Sequence, residues 1–214
     1  MSVPAEGPRW QRLEHDERRR QILHVARRLF SERNYASVST AEIAREAGIA
    51  RGLLHHYFGT KRELYLEVIR EIVRVPSSPV PRPGPGRGLE QVISEGADRW
   101  LTLLERNRGA WLAATGGQGP GRDPEVEAIL EDGREGAADR LIAALPGIAE
   151  PAPDDLRALI RCFSALAEAA SVEWLQRGRL TRAQAHALIV TGFLSLVQDV
   201  LPAVRRATAP ASSR

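Results

Sequence analysis

The sequence predicts an all-α protein of about nine helices, with a helix-turn-helix near the N-terminus and a larger helical body behind it. Three observations carry this reading. Apolar residues recur at helical spacing through most of the 214 residues. No segment has the strict apolar/polar alternation of a half-buried strand. Between residues 40 and 61, two short apolar stripes flank Gly48, a residue suited to stopping a helix with positive φ.

The elements follow in order. Residues 1–15 are small, proline-bearing and charged, and read as a disordered arm. A first helix is expected over 16–33, where Ile22, Val25, Ala26, Leu29 and Phe30 form one amphipathic stripe. Its opposite face carries Arg19, Arg20, Arg27 and Arg28, and Asn34-Tyr35 ends it. Ser39 or Thr40 caps the next helix, with Glu42 near the capping-box position. That helix buries Ile43, Ala44 and Ala47. Gly48 ends it, Ile49 plugs the corner, and Leu53, Leu54, Tyr57 and Phe58 follow at helical spacing over about 51–57. Small Ala44 and Gly48 permit a close crossing, and the second helix of such a unit can enter the DNA major groove.

Thr60 caps a fourth helix over 61–74, with Leu64, Tyr65, Val68, Ile69 and Ile72 making a broad stripe. Residues 75–88 hold five prolines and three glycines and read as a loop. The body then reads as helices over 88–106, 108–115, 124–145, 153–177 and 181–204, with a break at 116–121 and Pro124 at a favoured first position. The division is therefore an arm (1–15), a helix-turn-helix domain (16–60), a helical body (61–206), and a disordered tail (207–214).

Charge supports an N-terminal nucleic-acid face. Residues 1–75 carry 14 Lys/Arg against 10 Asp/Glu, a net of +4, while the remainder nets −1. Lys61 is the only lysine among 30 basic residues, so the arginine surplus reflects composition rather than function. The single cysteine, Cys162, rules out a disulfide within one chain and reads as a small buried hydrophobe. No run of 18 apolar residues and no secretory leader is evident, so a soluble cytoplasmic protein without membrane partners is expected.

Enzyme and metal chemistry find no support. The glycine-rich stretches 84–88 and 117–121 follow no strand and match no phosphate loop. Adjacent His55 and His56 point about 100° apart on a helix, with no third ligand at useful spacing. No cofactor is expected.

Thr40, Ile43, Ala44, Ala47, Gly48, Gly52, Tyr57, Phe58 and Lys61 together form a pattern that resembles the TetR family of bacterial repressors. The resemblance covers roughly residues 16–74; beyond it, only length and helical character agree. Ala50 replaces the family's usual Ser, Leu53 a common Thr or Ala, and His55 a common Tyr.

The geometry of a reading helix makes Arg51 the candidate for bidentate contact to guanine, with Gly52 allowing close approach and Leu53 meeting a thymine methyl. The resemblance implies phosphate contacts from Tyr57 and Lys61, with His55 in the place of a backbone-reaching tyrosine. Thr40 offers a hydroxyl and an amide to a phosphate. His56 completes the DNA-binding set. The resemblance further implies a homodimer, a palindromic operator on double-stranded DNA, and release by a small apolar or aromatic effector. Candidate pocket residues are Trp100, Leu104, Trp111 and Phe163. Candidate dimer residues are Leu159, Phe163, Leu166, Ala170 and Trp174 on the penultimate helix, and Ile189, Phe193 and Val197 on the last. Two other readings stay open: an architectural DNA binder without effector, and a helical ligand-binding protein that has lost DNA readout.

Overall fold

The computed structural model describes residues 9–33, 35–73, 83–84, 86–115, 123–146 and 153–208, with side chains from residue 15 to 207. Residues 1–8 of the expected arm, the Asn34 stop, most of the 75–88 loop, the 116–121 break and residues 209–214 of the tail lie outside the described residues.

The described residues are helical nearly throughout. The helices are α1 (Arg9–Glu32), α2 (Thr40–Glu46), α3 (Arg51–Phe58), α4 (Lys61–Val73), α5 (Leu89–Arg106), α6 (Arg108–Thr115), α7 (Pro124–Ala144), α8 (Asp154–Leu175), α9 (Arg182–Ser195) and α10 (Leu201–Thr208). A 3-10 turn at Tyr35–Ser37 links α1 to α2, and a π-helical turn at Leu196–Val200 joins α9 and α10 into one rod. Counting that rod once, nine helical rods are described, as expected.

Two boundaries differ from expectation. α1 begins at Arg9, inside the stretch read as a disordered arm. Residues 9–15 hold no Gly or Pro, so good helix formers carry the helix back towards Pro8. The last rod runs to Thr208, past the expected end, where Arg205 pairs with Asp155 at 2.7 Å and fixes α10 to the start of α8.

The broad apolar stripe of the fourth helix lets it pack on head and body at once, and the core runs through it. One cluster joins Ile22, Leu29 and Phe30 of α1, Ile43 of α2, Leu54 and Phe58 of α3, and Leu64, Val68 and Ile69 of α4. The same cluster takes in Leu104, Ala110, Trp111, Val126, Ile129 and Leu130 from the body. α4 is therefore shared. A second cluster fills the body between α5, α7, α8 and α9 and includes Leu101, Leu156, Ile160, Phe163, Ile189 and Phe193. Trp100 and Trp174 pack against both clusters.

Two glycines set how closely head and body approach. A Cβ at Gly109 of α6 would overlap the backbone of Ser31 in α1, and one at Gly133 of α7 would overlap Val73 of α4. Outside these contacts, Arg62 at the start of α4 pairs with Asp123 (2.9 Å) and Glu125 at the start of α7.

The rod over residues 182–207 has the length of a membrane-crossing segment, and its most apolar stretch has the mean hydropathy (1.8) of one. Ala185, Ile189 and Phe193 of this rod are nonetheless packed into the second cluster, as in a core helix of a helical body.

Candidate nucleic-acid interface

α3 is displayed because its residues separate by polarity. Leu54 and Phe58, one turn apart, are buried in the first cluster and hold the inner face. Arg51, Gly52, Leu53, His55 and His56 are exposed on the other side. Gly48 turns the chain at φ +64° and Gly59 ends α3 at φ +66°, conformations that side-chain-bearing residues rarely adopt.

α4 follows at once and clamps this geometry. Thr60 Oγ1 accepts from the Glu63 N–H (3.1 Å), while the Glu63 carboxylate accepts from the Thr60 N–H (2.7 Å). This is a full capping box. Hydrogen bonding from the Thr60 side chain, and then from its backbone N–H, holds the Glu63 carboxyl below the usual carboxylate range. A Cβ on Gly59 would overlap the same carboxylate.

At the start of α2 the cap is Ser39, whose Oγ accepts from the Glu42 N–H at 3.1 Å. Thr40 is the first helical residue and is half-buried. The Glu42 carboxylate accepts from Arg33 at 2.7 Å. α3 starts differently: its cap is Ala50, which supplies no side-chain acceptor to the leading amides. Gly52 has φ in the ordinary range, and a Cβ at this position would meet nothing within 4 Å. Its missing side chain relieves no clash within the chain; it leaves open space on the exposed face of α3.

The remaining predicted contacts are partly committed inside the protein. His55 Nδ1 lies 2.7 Å from the Gly59 carbonyl and closes its own helix. His56 stands edge-on to Tyr57, and the half-buried Tyr57 ring lies 4.6 Å from the His15 ring. Lys61 donates to the Tyr35 carbonyl (2.5 Å) and sits 4.1 Å above the Tyr35 ring, and burial lowers its pKa. The lysine therefore ties α4 to the α1–α2 connection and would share its ammonium with any phosphate.

Sequence reasoning missed two supports of this face. Arg19, read as part of an open basic face, lies 5.1 Å over the Phe58 ring and pairs with Glu67 at 2.8 Å. Burial pushes the Glu67 carboxyl up, but hydrogen bonds from Arg19 and Arg70 outweigh it and the net shift is down. His15, assigned to the arm, packs on α3. The helical register of α1 carries a signal for His15 once its start is moved back to Arg9.

The candidate pocket residues are only partly brought together. Trp100 stands edge-on to Trp111 at 5.9 Å, and Trp111 Nε1 donates to Ser171 Oγ at 2.9 Å. Leu104 is fully buried in the same cluster. Phe163 is not with them; it packs edge-on against Phe193 at 5.2 Å in the second cluster. Phe163 and Trp174 are three turns apart on α8, roughly 16 Å along the axis, so one helix serves both clusters.

The candidate dimer residues need a larger correction. Phe163, Ala170, Ile189 and Phe193 are buried in the chain's own core and present no surface to a partner. Leu159, Trp174 and Val197 are half-buried, packed on that core. Leu166 alone of the set is exposed, at 39%. The exposed face of α8 is Cys162, Ala165, Leu166 and Ala169, beside Ala187, Leu188, Thr191 and Ser195 of α9. Cys162 is thus a surface residue rather than a buried one.

An all-α head that buries one face of a short glycine-bounded helix and exposes a basic tip on the other defines the class: a helix-turn-helix DNA-binding regulator. Residues 22–68 match the model for bacterial regulatory proteins of the tetR family, and residues 89–196 match a tetracyclin repressor-like C-terminal domain. A tetR-family transcriptional regulator from Streptomyces coelicolor shares the fold at TM-score 0.68 and 30% identity, covering 92% of each chain. The fatty acid degradation regulator FadR from Bacillus halodurans shares it at TM-score 0.62 and 14% identity, over 92% of this chain and 98% of its own. Among curated relatives, the transcriptional regulator BetI of Agrobacterium fabrum is 42% identical over 57 residues, 27% of this chain and 28% of BetI. HbdR of an Aromatoleum species is 36% identical over 67 residues, 31% of this chain and 29% of HbdR. The chain thus spans under a third of the length of these curated relatives. The chain belongs to the TetR family of transcriptional regulators.

Proposed function

We propose that the protein is a homodimeric repressor that grips a palindromic operator with two copies of α3 and is released by a small apolar or aromatic effector bound in the body. It acts in the cytoplasm, on DNA. The observation that carries the DNA half is the tip of α3, where Arg51, Gly52 and Leu53 are exposed and Gly52 leaves space that nothing in the chain fills. Arg51 reads a guanine edge, Leu53 (36% exposed) offers a methyl contact, and Thr40, Tyr57 and Lys61 flank the phosphates.

The dimer half rests on the outer face of α8 and α9. Leu166 and Leu188 are 39% and 42% exposed there, among alanines that would let two helix pairs pack closely. Only 28% of the most apolar window of the α9–α10 rod is buried within the chain. A second subunit would cover the rest. Two reading heads then fall about one DNA turn apart, which makes a palindrome the natural target. For the effector, Trp100, Leu104 and Trp111 group aromatic surface next to α6, which packs on α1.

The test is a gel shift on DNA from upstream of the protein's own gene, titrated with salt and with candidate aromatic metabolites. The proposal expects a discrete complex that weakens steeply with salt and dissociates with one of the metabolites. No retardation at low salt would sink the DNA reading. Retardation that no metabolite reverses would leave an architectural binder.

A further inference from the structure

A groove of about 320 Å³ runs between the C-terminal half of α1 and the corner where α5 meets α6. None of its wall residues comes from the aromatic cluster or from the α8–α9 face. Four of them are arginines (Arg27, Arg28, Arg106, Arg108), against two carboxylates, Glu32 and Glu105.

The ion pairs around it do not use all of this charge. Arg28 pairs with Glu32 and Glu46. Arg108 donates to the Leu175 carbonyl. Glu105 faces Arg182 of α9 at 3.9 Å. Arg27 and Arg106 are left with no hydrogen bond or ion pair among the described residues. On the same wall, Ser31 Oγ is buried without a hydrogen-bond partner. A buried hydroxyl without a partner is costly to a free protein and calls for an explanation.

We propose that this groove binds a small organic oxyanion, a carboxylate or phosphate ester, between the Arg27 and Arg106 guanidiniums. Two planar donors from different helices suit an oxyanion, and a hydroxyl that rotates about χ1 adds a third donor. The volume sits at the low end for small-molecule sites, and exceeds what a bare ion fills. Arg27 belongs to the DNA-binding head and Arg106 to the body, so the anion bridges the two. Anion binding here does not depend on how α3 reads DNA.

Titration calorimetry with inorganic phosphate and with phenyl phosphate, at ionic strength matched by sodium chloride, tests it. The proposal expects saturable binding of phenyl phosphate, weakened at least about tenfold by Arg27→Gln and by Arg106→Gln. Arg206→Gln, on the exposed side of α10, leaves binding unchanged. Ser31→Ala weakens phenyl phosphate several-fold yet does not lower the melting temperature of the free protein, a separation that a purely structural serine would not give. Heats that follow ionic strength alone, or binding that survives both arginine substitutions, overturn the proposal. So does an absence of anion binding in which the same substitutions weaken duplex binding, since the groove would then belong to the DNA face.

Discussion

The helix pairs α2–α3 and α8–α9 bury similar residues yet differ in how they divide inside from outside. On α3 the buried positions are Leu54 and Phe58, and the exposed ones include Arg51, His55 and His56. Apart from the exposed Leu53, polarity separates the two faces. On α8 the buried positions Phe163, Ala167 and Ala170 alternate with exposed Cys162, Ala165, Leu166 and Ala169. Both faces are apolar, so periodicity locates the helix without saying which side meets its own chain. An apolar stripe wider than one core contact can serve two surfaces, and only the neighbours assign them.

The largest test of that contrast removes a residue from the side the chain keeps for itself. Phe193→Ala should cost about 3–5 kcal/mol of stability, because Phe193 is fully buried against Phe163. Denaturant unfolding measures it, and a cost below about 1 kcal/mol would return Phe193 to the outer face.

Next, the double substitution Leu166→Glu with Leu188→Glu charges the face assigned to a partner. It should yield a folded monomer by sedimentation and weaken operator binding about a hundredfold, since each head then binds alone. A dimer that persists moves the interface elsewhere.

A third test compares the interiors of the two regions by pH. Burial pushes the Tyr65 phenol in the head up to about 12. Above pH 10 the unfolded chain ionises this tyrosine first, so it binds fewer protons than the folded chain and stability falls with rising pH. That contribution, roughly 2 kcal/mol, is present below pH 10 and lost between pH 10 and about 12. Tyr65→Phe should flatten that part of the stability–pH curve; an unchanged slope would show that the ring is solvated.

The smallest effect concerns the outer side of α3. Arg51→Ala should reduce discrimination between operator and random duplex by about tenfold, within the roughly 1–3 kcal/mol of one bidentate base contact. Melting temperature should not move, because Arg51 is exposed. Unaltered specificity in competitive gel shifts would remove Arg51 from the reading surface.

Legibility followed local chemistry. The α2–α3 unit, its Gly48 turn and the Thr60 cap could be read because each depends on residues within a few positions: Gly48 and Thr60 act on the chain beside them. The Arg62–Asp123 pair and the Gly109–Ser31 contact join residues far apart in sequence, and no periodic signal connects them. The Trp111–Ser171 bond is of the same kind; Trp111 was legible as apolar, its hydroxyl partner was not. α1 ran longer than expected because charge in residues 9–15 was read as disorder, whereas helix formers without breakers continue a helix once its later turns are packed.

By itself, then, the amino-acid order determined the helical class, the turn that presents α3, and the polarity of that helix, since these arise from backbone preference and from side chains one or two turns apart. Tertiary structure alone decided which side of α8 and α9 is core, and that Arg27 and Arg106 stand unpaired at one groove. Those outcomes depend on which distant surfaces exclude water from one another, and that is a property of the assembled helices rather than of any one of them.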